Sequence, residues 1–253
     1  MGKIIAFHGS DHKVGTTMLA LSLAEKAAKQ MIKDDVLFLV LDSKRNKDFF
    51  EGDVHFLDEF REKITNHIAV SESELRALKK KNNLYVLCGL KSPKSGARGR
   101  MKENDVADFL LGLKEKFAYI VVDTGNGPVS TMAAAGLKAA DIKFAVTAQN
   151  EAAIFEYEEQ GFGIARGEES PGNKFFDKVL INKFRAADVY RESYISKRLG
   201  LSEDDMDVVH RSKMAGDAEI MHKTLYSMWD QKFARDICKL YSFAFKGSRS
   251  SAV

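Results

Sequence analysis

The 253-residue chain has the composition of an ordinary globular domain and carries little net charge. Apolar residues make up 45% and charged residues 30% of it, which is typical of folded soluble domains and excludes a disordered or collagen-like chain. The longest apolar runs, such as Val36–Leu41, are too short to cross a bilayer, and no secretion signal is expected. The formal charge of +3 does not indicate a nucleic-acid or membrane partner, and Cys88 and Cys238 lack metal-binding spacing.

Short apolar runs alternate with helix-like segments along most of the chain. The predicted strands are Lys3–Phe7, Asp35–Leu41, Leu84–Cys88, Tyr119–Asp123, Ile142–Thr147, Asp177–Asn182 and Met206–Val209. The predicted helices are Thr17–Lys29, Ser71–Lys81, Glu103–Phe117, Val129–Ala139, Ala152–Gln160 and Ala187–Leu199. Most runs lack polar alternation, which is typical of strands covered on both faces. We therefore expect an α/β fold with a doubly wound, mainly parallel sheet flanked by helices, in one domain over residues 1–246 with a flexible tail, 247–253.

The first predicted strand runs into a polar turn, Ser10–Thr17, and then into a helix. A phosphate-binding loop needs this order, because backbone N–H groups in the turn and at the helix start point at the anion. The full P-loop pattern is G-x-x-x-x-G-K-[ST]. Ser10 replaces its first glycine, Gly15 keeps the second, and Thr16 stands where the lysine belongs. Thr17 keeps the hydroxyl, so the turn is retained without its cation.

The loop resembles the deviant Walker A motif of the MinD/ParA family, K-G-G-x-G-K-[ST]-[ST], which precedes an Ala- and Leu-rich helix. In that alignment Asp11 replaces the signature lysine, which reaches the partner subunit's phosphates in ATP-bound dimers of the family. His12 and Lys13 replace two glycines, and Thr16 replaces the P-loop lysine. The stretch Gly15–Thr17 also resembles the degenerate motif of the TadZ/CpaE pilus-localisation branch.

Three further segments resemble landmarks of the same family, each at the end of a predicted strand. Asp42 matches the second carboxylate of the D-x-D motif, which helps to position Mg²⁺ and the attacking water. Asp123 matches the Walker B aspartate, and Asn182 matches the asparagine that hydrogen-bonds adenine. Ligands bind at the carboxyl edge of open α/β sheets, so these residues are expected to meet there.

The resemblance implies ATP or ADP as ligand, together with Mg²⁺. The nucleotide-binding residues it implies are Ser10, Asp11, His12, Lys13, Val14, Gly15, Thr16, Thr17 and Asn182. The metal-binding residues it implies are Thr17, Asp42 and Asp123, of which Asp42 and Asp123 would also act in catalysis. The simpler alternatives are a helix-start residue for Thr17, a strand terminator for Asp123, a surface ion pair with Lys44 or Arg45 for Asp42, and a turn residue for Asn182.

The missing lysines predict weak nucleotide binding and slow or absent hydrolysis. Mg·ATP keeps about two negative charges that a P-loop lysine normally helps to offset. Thr16 cannot do so, Asp11 adds negative charge, and Lys13 is the cation left in the loop as a surrogate. Two functions follow. One is a nucleotide-dependent regulator that localises or assembles a partner complex, with weak ATPase activity at most; the other is a non-enzymatic pseudo-ATPase scaffold.

The resemblance also implies a homodimer, formed in response to nucleotide, and a protein partner that the sequence does not identify. The segment Arg76–Lys102 has nine Lys or Arg and no acid, which fits a solvated loop, a lipid-binding patch or the DNA contact of a ParA-like partition protein. The last predicted helix, Ser227–Phe245, has an apolar stripe of Trp229, Phe233 and Ile237, which either packs on the sheet or binds a membrane surface. The expected location is the cytoplasm, with a peripheral position at the inner membrane face as the alternative.

Overall fold

The computed structural model describes residues 2–42, 49–50, 52–91, 101–160 and 175–246. Within them nine strands form one sheet, and nine α-helices accompany it. The strands are β1 Lys3–Gly9, β2 Val36–Val40, β3 His55–Phe56, β4 Lys79–Lys81, β5 Leu84–Cys88, β6 Tyr119–Asn126, β7 Ile142–Ala148, β8 Lys178–Phe184 and β9 Met206–His210. The helices are α1 Thr16–Gln30, α2 Arg61–Thr65, α3 Glu72–Ala77, α4 Glu103–Lys114, α5 Thr131–Ala139, α6 Glu151–Glu159, α7 Glu192–Leu199, α8 Ala215–Ile220 and α9 Gln231–Lys246.

The sheet is parallel along its main path, in the order β3-β5-β2-β6-β1-β7-β8-β9. Strand β4 pairs with β5 in the antiparallel direction, outside this path. Strand β1 lies at the centre, where Ile5 pairs with Val121 of β6 and with Ile142 of β7. The predicted doubly wound, mainly parallel sheet is therefore confirmed, and the turn after β1 lies in the middle of its carboxyl edge.

Both faces of the sheet are covered, as the apolar strands require. Successive side chains of a strand point to opposite faces, so Ile4 and Ala6 enter one core whereas Ile5 and Phe7 enter the other. Helices α4 and α5 close the first core, and α1 and α9 close the second. Each large side chain buried in this way contributes about 1.5–3 kcal/mol to stability.

The predicted helix over Ser71–Lys81 is only partly correct. Its capping box is present, since the Glu74 N–H donates to Ser71 Oγ and the Ser71 N–H donates to Glu74 Oε2. The helix ends at Ala77, however, and Lys79–Lys81 form β4. Asn82 adopts a left-handed backbone, φ 51°, so the chain turns there and enters β5 directly.

The last helix begins later than predicted, at Gln231, and Trp229 lies outside it. Phe233 and Ile237 are buried in the core that α1 also closes. Trp229 is 71% exposed, and the Lys29 ammonium lies 4.2 Å from its ring centroid. The predicted stripe is therefore wrong at Trp229, and its other two members pack on the sheet.

Two sequence predictions fall wholly or partly outside the described residues. The predicted tail, 247–253, is one, and residues 92–100 of the basic segment are the other. Lys44 and Arg45, the proposed ion-pair partners of Asp42, also lie outside them. None of the helices that the structure describes is long and apolar enough to cross a membrane.

Candidate nucleotide-binding site

The carboxyl edge of the sheet borders a cavity of about 980 Å³. Its walls come from several separate segments of the chain. The loop after β1 contributes Gly15, the end of β2 contributes Asp42, and β6 contributes Gly125. Asn182 of β8 and Arg211 after β9 complete the opposite side. The structure thus brings the predicted loop together with Asp42 and Asn182, although long stretches of chain separate them.

Ser10, at the place of the first P-loop glycine, fastens the loop to α6. Its side chain is fully buried, and its hydroxyl donates to the Ala153 carbonyl oxygen at 3.0 Å. Its N–H donates to the Val146 carbonyl oxygen, and its own carbonyl accepts a bond from Gln160 Nε2. Because its polar groups are engaged in the fold, Ser10 holds the loop and leaves ligand contacts to the residues after it.

The tip of the loop turns one basic side chain towards the cavity. Asp11 Oδ1 accepts a bond from the His12 N–H at 2.5 Å, a local turn interaction. Lys13 lines the cavity, whereas Asp11 and His12 do not. Lys13 adopts a left-handed backbone, φ 62°, at a position where the resembling motif has glycine. The substitution of lysine for glycine is therefore accommodated by a conformation that costs a non-glycine residue some strain.

Two side chains of β8 hydrogen-bond to backbone carbonyl oxygens of the loop Ser10–Thr17. Asn182 Nδ2 donates to the Val14 carbonyl oxygen at 2.7 Å, and Lys183 Nζ donates to the Lys13 carbonyl oxygen. Gly15 caps α1 with φ 97°, and a β-carbon built on it would overlap the Asn182 amide nitrogen. Asn182, predicted as an adenine reader, therefore packs on the phosphate loop and shapes it.

The start of α1 offers unpaired donors beside an uncharged hydroxyl. Within the described residues, the N–H groups of residues 14 to 17 have no hydrogen-bond acceptor. Donors of this kind, at the positive end of a helix, are what bind phosphate oxygens in such loops. Thr16 is buried at the lysine position, and its hydroxyl has no hydrogen-bond partner in the part of the chain that the structure describes. The loop therefore provides backbone donors but no charge at this position.

Thr17 and Asp123 form a short hydrogen bond at the start of α1. Thr17 Oγ1 donates to Asp123 Oδ2 at 2.5 Å, and the Gly125 N–H donates to Asp123 Oδ1 at 2.9 Å. Asp123 is buried, whereas Asp42 lies at the cavity wall, where a β-carbon on Gly125 would be 2.9 Å from its Cγ. A hydroxyl beside a carboxylate suits Mg²⁺, which binds few protein oxygens and keeps several waters. The described residues contain no group of three or more His, Cys, Asp or Glu that could hold a metal by themselves.

His8 is a site residue that the sequence analysis missed. Its ring is buried at the end of β1, with Nδ1 2.8 Å from Thr124 Oγ1 and Nε2 3.0 Å from the Gly127 carbonyl oxygen. Burial lowers the pKa of His8, although the Gly127 carbonyl and the Asp42 charge oppose this shift. His8 thus ties β1 to the segment after Asp123. In the sequence, only the position of a histidine near the end of an apolar strand could have indicated this role.

The amino-acid sequence matches no protein-family model and no curated protein. The fold, however, is similar to those of several solved structures. A ParA family ATPase from Chlorobium tepidum TLS aligns with a TM-score of 0.77 and 14% identity, over 95% of this chain and 99% of that one. The septum site-determining protein MinD from Pyrococcus horikoshii OT3, complexed with Mg-ADP, gives 0.71 and 13%, over 97% of both chains. The MinC:MinD cell division complex from Aquifex aeolicus gives 0.70 and 15%, over 94% of this chain and 96% of that one. The chain therefore has the fold of MinD/ParA-type P-loop ATPases.

Proposed function

We propose that the chain binds ATP or ADP with Mg²⁺ in this cavity and acts as a nucleotide-dependent regulator that positions a partner complex. The observation that carries this proposal is the contact between Thr17 and Asp123 at the start of α1, beside backbone N–H groups without a protein acceptor. A phosphate at those N–H groups would lie next to the oxygens that suit Mg²⁺. The MinD structure complexed with Mg-ADP has the same fold.

The same residues favour binding over hydrolysis. The backbone donors of residues 14 to 17 would hold phosphate oxygens, and Thr17 and Asp123 would hold Mg²⁺, which offsets part of the phosphate charge. Asp42, at the wall beside Gly125, would orient a water. Thr16 provides no cation for the charge that develops during phosphoryl transfer, so hydrolysis should be slower by several orders of magnitude.

A titration with fluorescent ATP and ADP, with and without Mg²⁺, tests this proposal. Thr17→Val removes the hydroxyl and keeps the shape, so it should weaken Mg²⁺-dependent binding by about tenfold or more. Thr65→Val is the matched control, because the Thr65 hydroxyl donates within α2 to the Arg61 carbonyl oxygen. Turnover as fast as that of ordinary family members, or Mg²⁺-dependent binding that survives Thr17→Val, would contradict the proposal.

The second candidate is a non-enzymatic pseudo-ATPase scaffold that keeps the fold and its interaction surface without a working nucleotide cycle. The internal bonds of Ser10, Asn182 and Lys183 favour it, since they hold the loop in place without a ligand. Light scattering with and without nucleotide separates the two functions. The regulator should form a homodimer when nucleotide is added, whereas the scaffold should have the same mass in both conditions.

The partner is proposed to be a protein, and the location the cytoplasm with peripheral contact at the inner membrane face. The MinC:MinD complex contains a protein of this fold assembled with another protein. Capture of a partner by the wild type but not by Thr17→Val would support a nucleotide-dependent interaction, whereas equal capture by both would support the scaffold.

A further inference from the structure

Four Lys or Arg residues at or just after the carboxyl ends of β8 and β9 line the candidate nucleotide cavity: Lys183, Arg185, Arg211 and Lys213. We call Lys183, Arg211 and Lys213 the β8–β9 cluster. The parallel pairing of the two strands sets Phe184 opposite His210, and the Arg211 N–H donates to the Phe184 carbonyl oxygen at 3.0 Å. Lys183 and Arg211 are therefore neighbours across the two strands, although they are distant in sequence.

Among the residues that the structure describes, no carboxylate forms an ion pair with the cluster, although Asp42 and Glu219 line the same cavity. In the described part of the chain, no Asp or Glu oxygen lies within 4.0 Å of a charged nitrogen of the cluster, whereas nearby Arg185 has Asp188 at 4.0 Å. Partial burial, Arg211 and Lys13 together lower the pKa of Lys183. Like charges that face one another without a counter-charge are unfavourable in the free protein, and a bound anion would relieve their repulsion.

The cluster also adjoins the phosphate loop. Lys183 Nζ donates to the Lys13 carbonyl oxygen, so the two residues are in direct contact. The Lys13 side chain lines the same cavity as Lys183 and Arg211. These three residues place positive charge on the β8 side of the loop, where Thr16 supplies none.

We propose that Lys13, Lys183 and Arg211 bind the polyphosphate of a nucleoside di- or triphosphate and replace the charge of the missing P-loop lysine. This rests on the proposed function, because it requires the phosphates to lie along the loop Ser10–Thr17. Mg·ATP keeps about two negative charges, which three cations can offset. Lys and Arg form the strongest hydrogen bonds to phosphate. These cations recognise charge and not the base, so affinity should rise with the number of phosphates.

Calorimetric titration of the full chain with ATP, ADP, inorganic tripolyphosphate and adenosine, at two salt concentrations, tests this inference. Arg211→Gln removes one exposed charge, and Lys183→Asn removes another with a residue that tolerates the left-handed backbone at φ 58°. Lys183→Arg keeps the charge. Lys197→Gln removes a charge from an exposed position on α7 that is not part of the cavity wall, and it is the matched control.

Arg211→Gln and Lys183→Asn should each weaken the binding of ATP and tripolyphosphate by about tenfold or more, as expected for the loss of a charged hydrogen bond. Both variants should reduce the dependence of ATP affinity on salt concentration and leave adenosine binding unchanged. Lys183→Arg and Lys197→Gln should behave like the wild type. Unchanged ATP affinity in both charge-removing variants would overturn this inference and leave nucleotide binding intact.

The wild-type titrations separate this inference from the proposed function. Binding of tripolyphosphate without binding of ATP or ADP would refute the nucleotide function and keep the anion site. Binding of none of these ligands would refute both. A single-stranded oligonucleotide that binds more tightly than tripolyphosphate, and is lost in Arg211→Gln, would overturn the assignment to a nucleotide in favour of nucleic-acid phosphates.

Discussion

The two sides of the candidate nucleotide cavity differ in what each would contribute to the proposed phosphate site. The loop side, Ser10–Thr17, keeps the backbone of a P-loop, with Gly15 in a left-handed conformation and unpaired N–H groups at the start of α1. Asp11 and Thr16 stand at the positions of the two motif lysines, and Lys13 is the one lysine in the loop. The β8–β9 side has Asn182, which clamps the loop, and the cluster of Lys183, Arg211 and Lys213.

This difference shows that the geometry of a phosphate loop and its charge can be separated. A helix always leaves its first N–H groups without a partner inside the helix. The position of these donors therefore depends on the turn and on Gly15, which set where α1 begins. Charge acts through space and can come from any loop that reaches the cavity. The following predictions test this separation.

The largest effect is expected for Gly15→Ala, which changes the backbone geometry of the loop and leaves its charge unchanged. Alanine at φ 97° is strained, and its β-carbon would overlap the Asn182 amide. We expect a loss of about 2–4 kcal/mol in the free energy of unfolding from strain and overlap together, and a loss of nucleotide binding. Urea denaturation and the fluorescent-nucleotide titration measure the two effects.

Gly112→Ala in α4 is the matched control for this substitution. Apart from the backbone of α4 itself, no atom of the described residues lies within 4 Å of a β-carbon built on Gly112, so alanine should stabilise the helix by about 0.5–1 kcal/mol. Adding Asn182→Ala to Gly15→Ala should recover part of the stability, because it removes the overlap and leaves the backbone strain. Equal stability of Gly15→Ala and the wild type would show that the clamp does not constrain the loop.

Thr16→Lys should have the next largest effect, because it restores charge without changing the turn. Thr16 is buried but belongs to the cavity wall and stands at the position of the P-loop lysine, so we expect the longer lysine side chain to reach the cavity. We expect ATP affinity to increase by about tenfold, the gain of one charged hydrogen bond. Isothermal titration with ATP measures it, and adenosine, which has no phosphate, is the control ligand.

The same variant tests the compensation between the two sides. If the β8–β9 cluster stands in for the lysine, Arg211→Gln should weaken ATP binding less in the Thr16→Lys background than in the wild type. Equal losses in the two backgrounds would mean that the two sides act independently. A Thr16→Lys protein with wild-type affinity would mean that the loop does not face the phosphates.

Local patterns predicted the fold well, and long-range contacts account for what was missed. Leu84–Cys88 was predicted with its correct bounds, because a polar turn precedes it and Gly89 follows it. The two-residue strand β3 is too short for any periodicity to indicate it. Two features depend on strand register, which one sequence does not specify. One is the hydrogen bond from Asn182 to the Val14 carbonyl oxygen, and the other is the pairing that sets Arg211 beside Lys183. The sequence therefore predicted the loop that we propose binds phosphate, but it did not indicate the basic residues of β8 and β9 beside it.

The smallest effect concerns the pH dependence of the loop side, through His8. The Gly127 carbonyl can only accept, so His8 Nε2 donates to it, and in the neutral ring Nδ1 accepts a bond from the Thr124 hydroxyl. In the protonated ring Nδ1 would donate to the Thr124 oxygen, and the hydroxyl would donate to the Phe7 carbonyl oxygen at 2.9 Å. Only the protonated ring can donate both bonds. Burial nevertheless lowers the pKa of His8, so the folded state binds this proton less well than the unfolded state.

This direction determines the sign of the pH effect. The stability that comes from neutral His8 is present above the ordinary histidine pKa of about 6.5 and is lost as the pH falls through the lowered value. In urea denaturation at pH 7.5 and 5.5, His8→Asn should therefore lose less stability than the wild type. His222→Asn, at an exposed position, should lose as much as the wild type. If His8→Asn loses as much as the wild type or more, the two donated bonds outweigh burial, and the histidine stays protonated between β1 and the segment after Asp123.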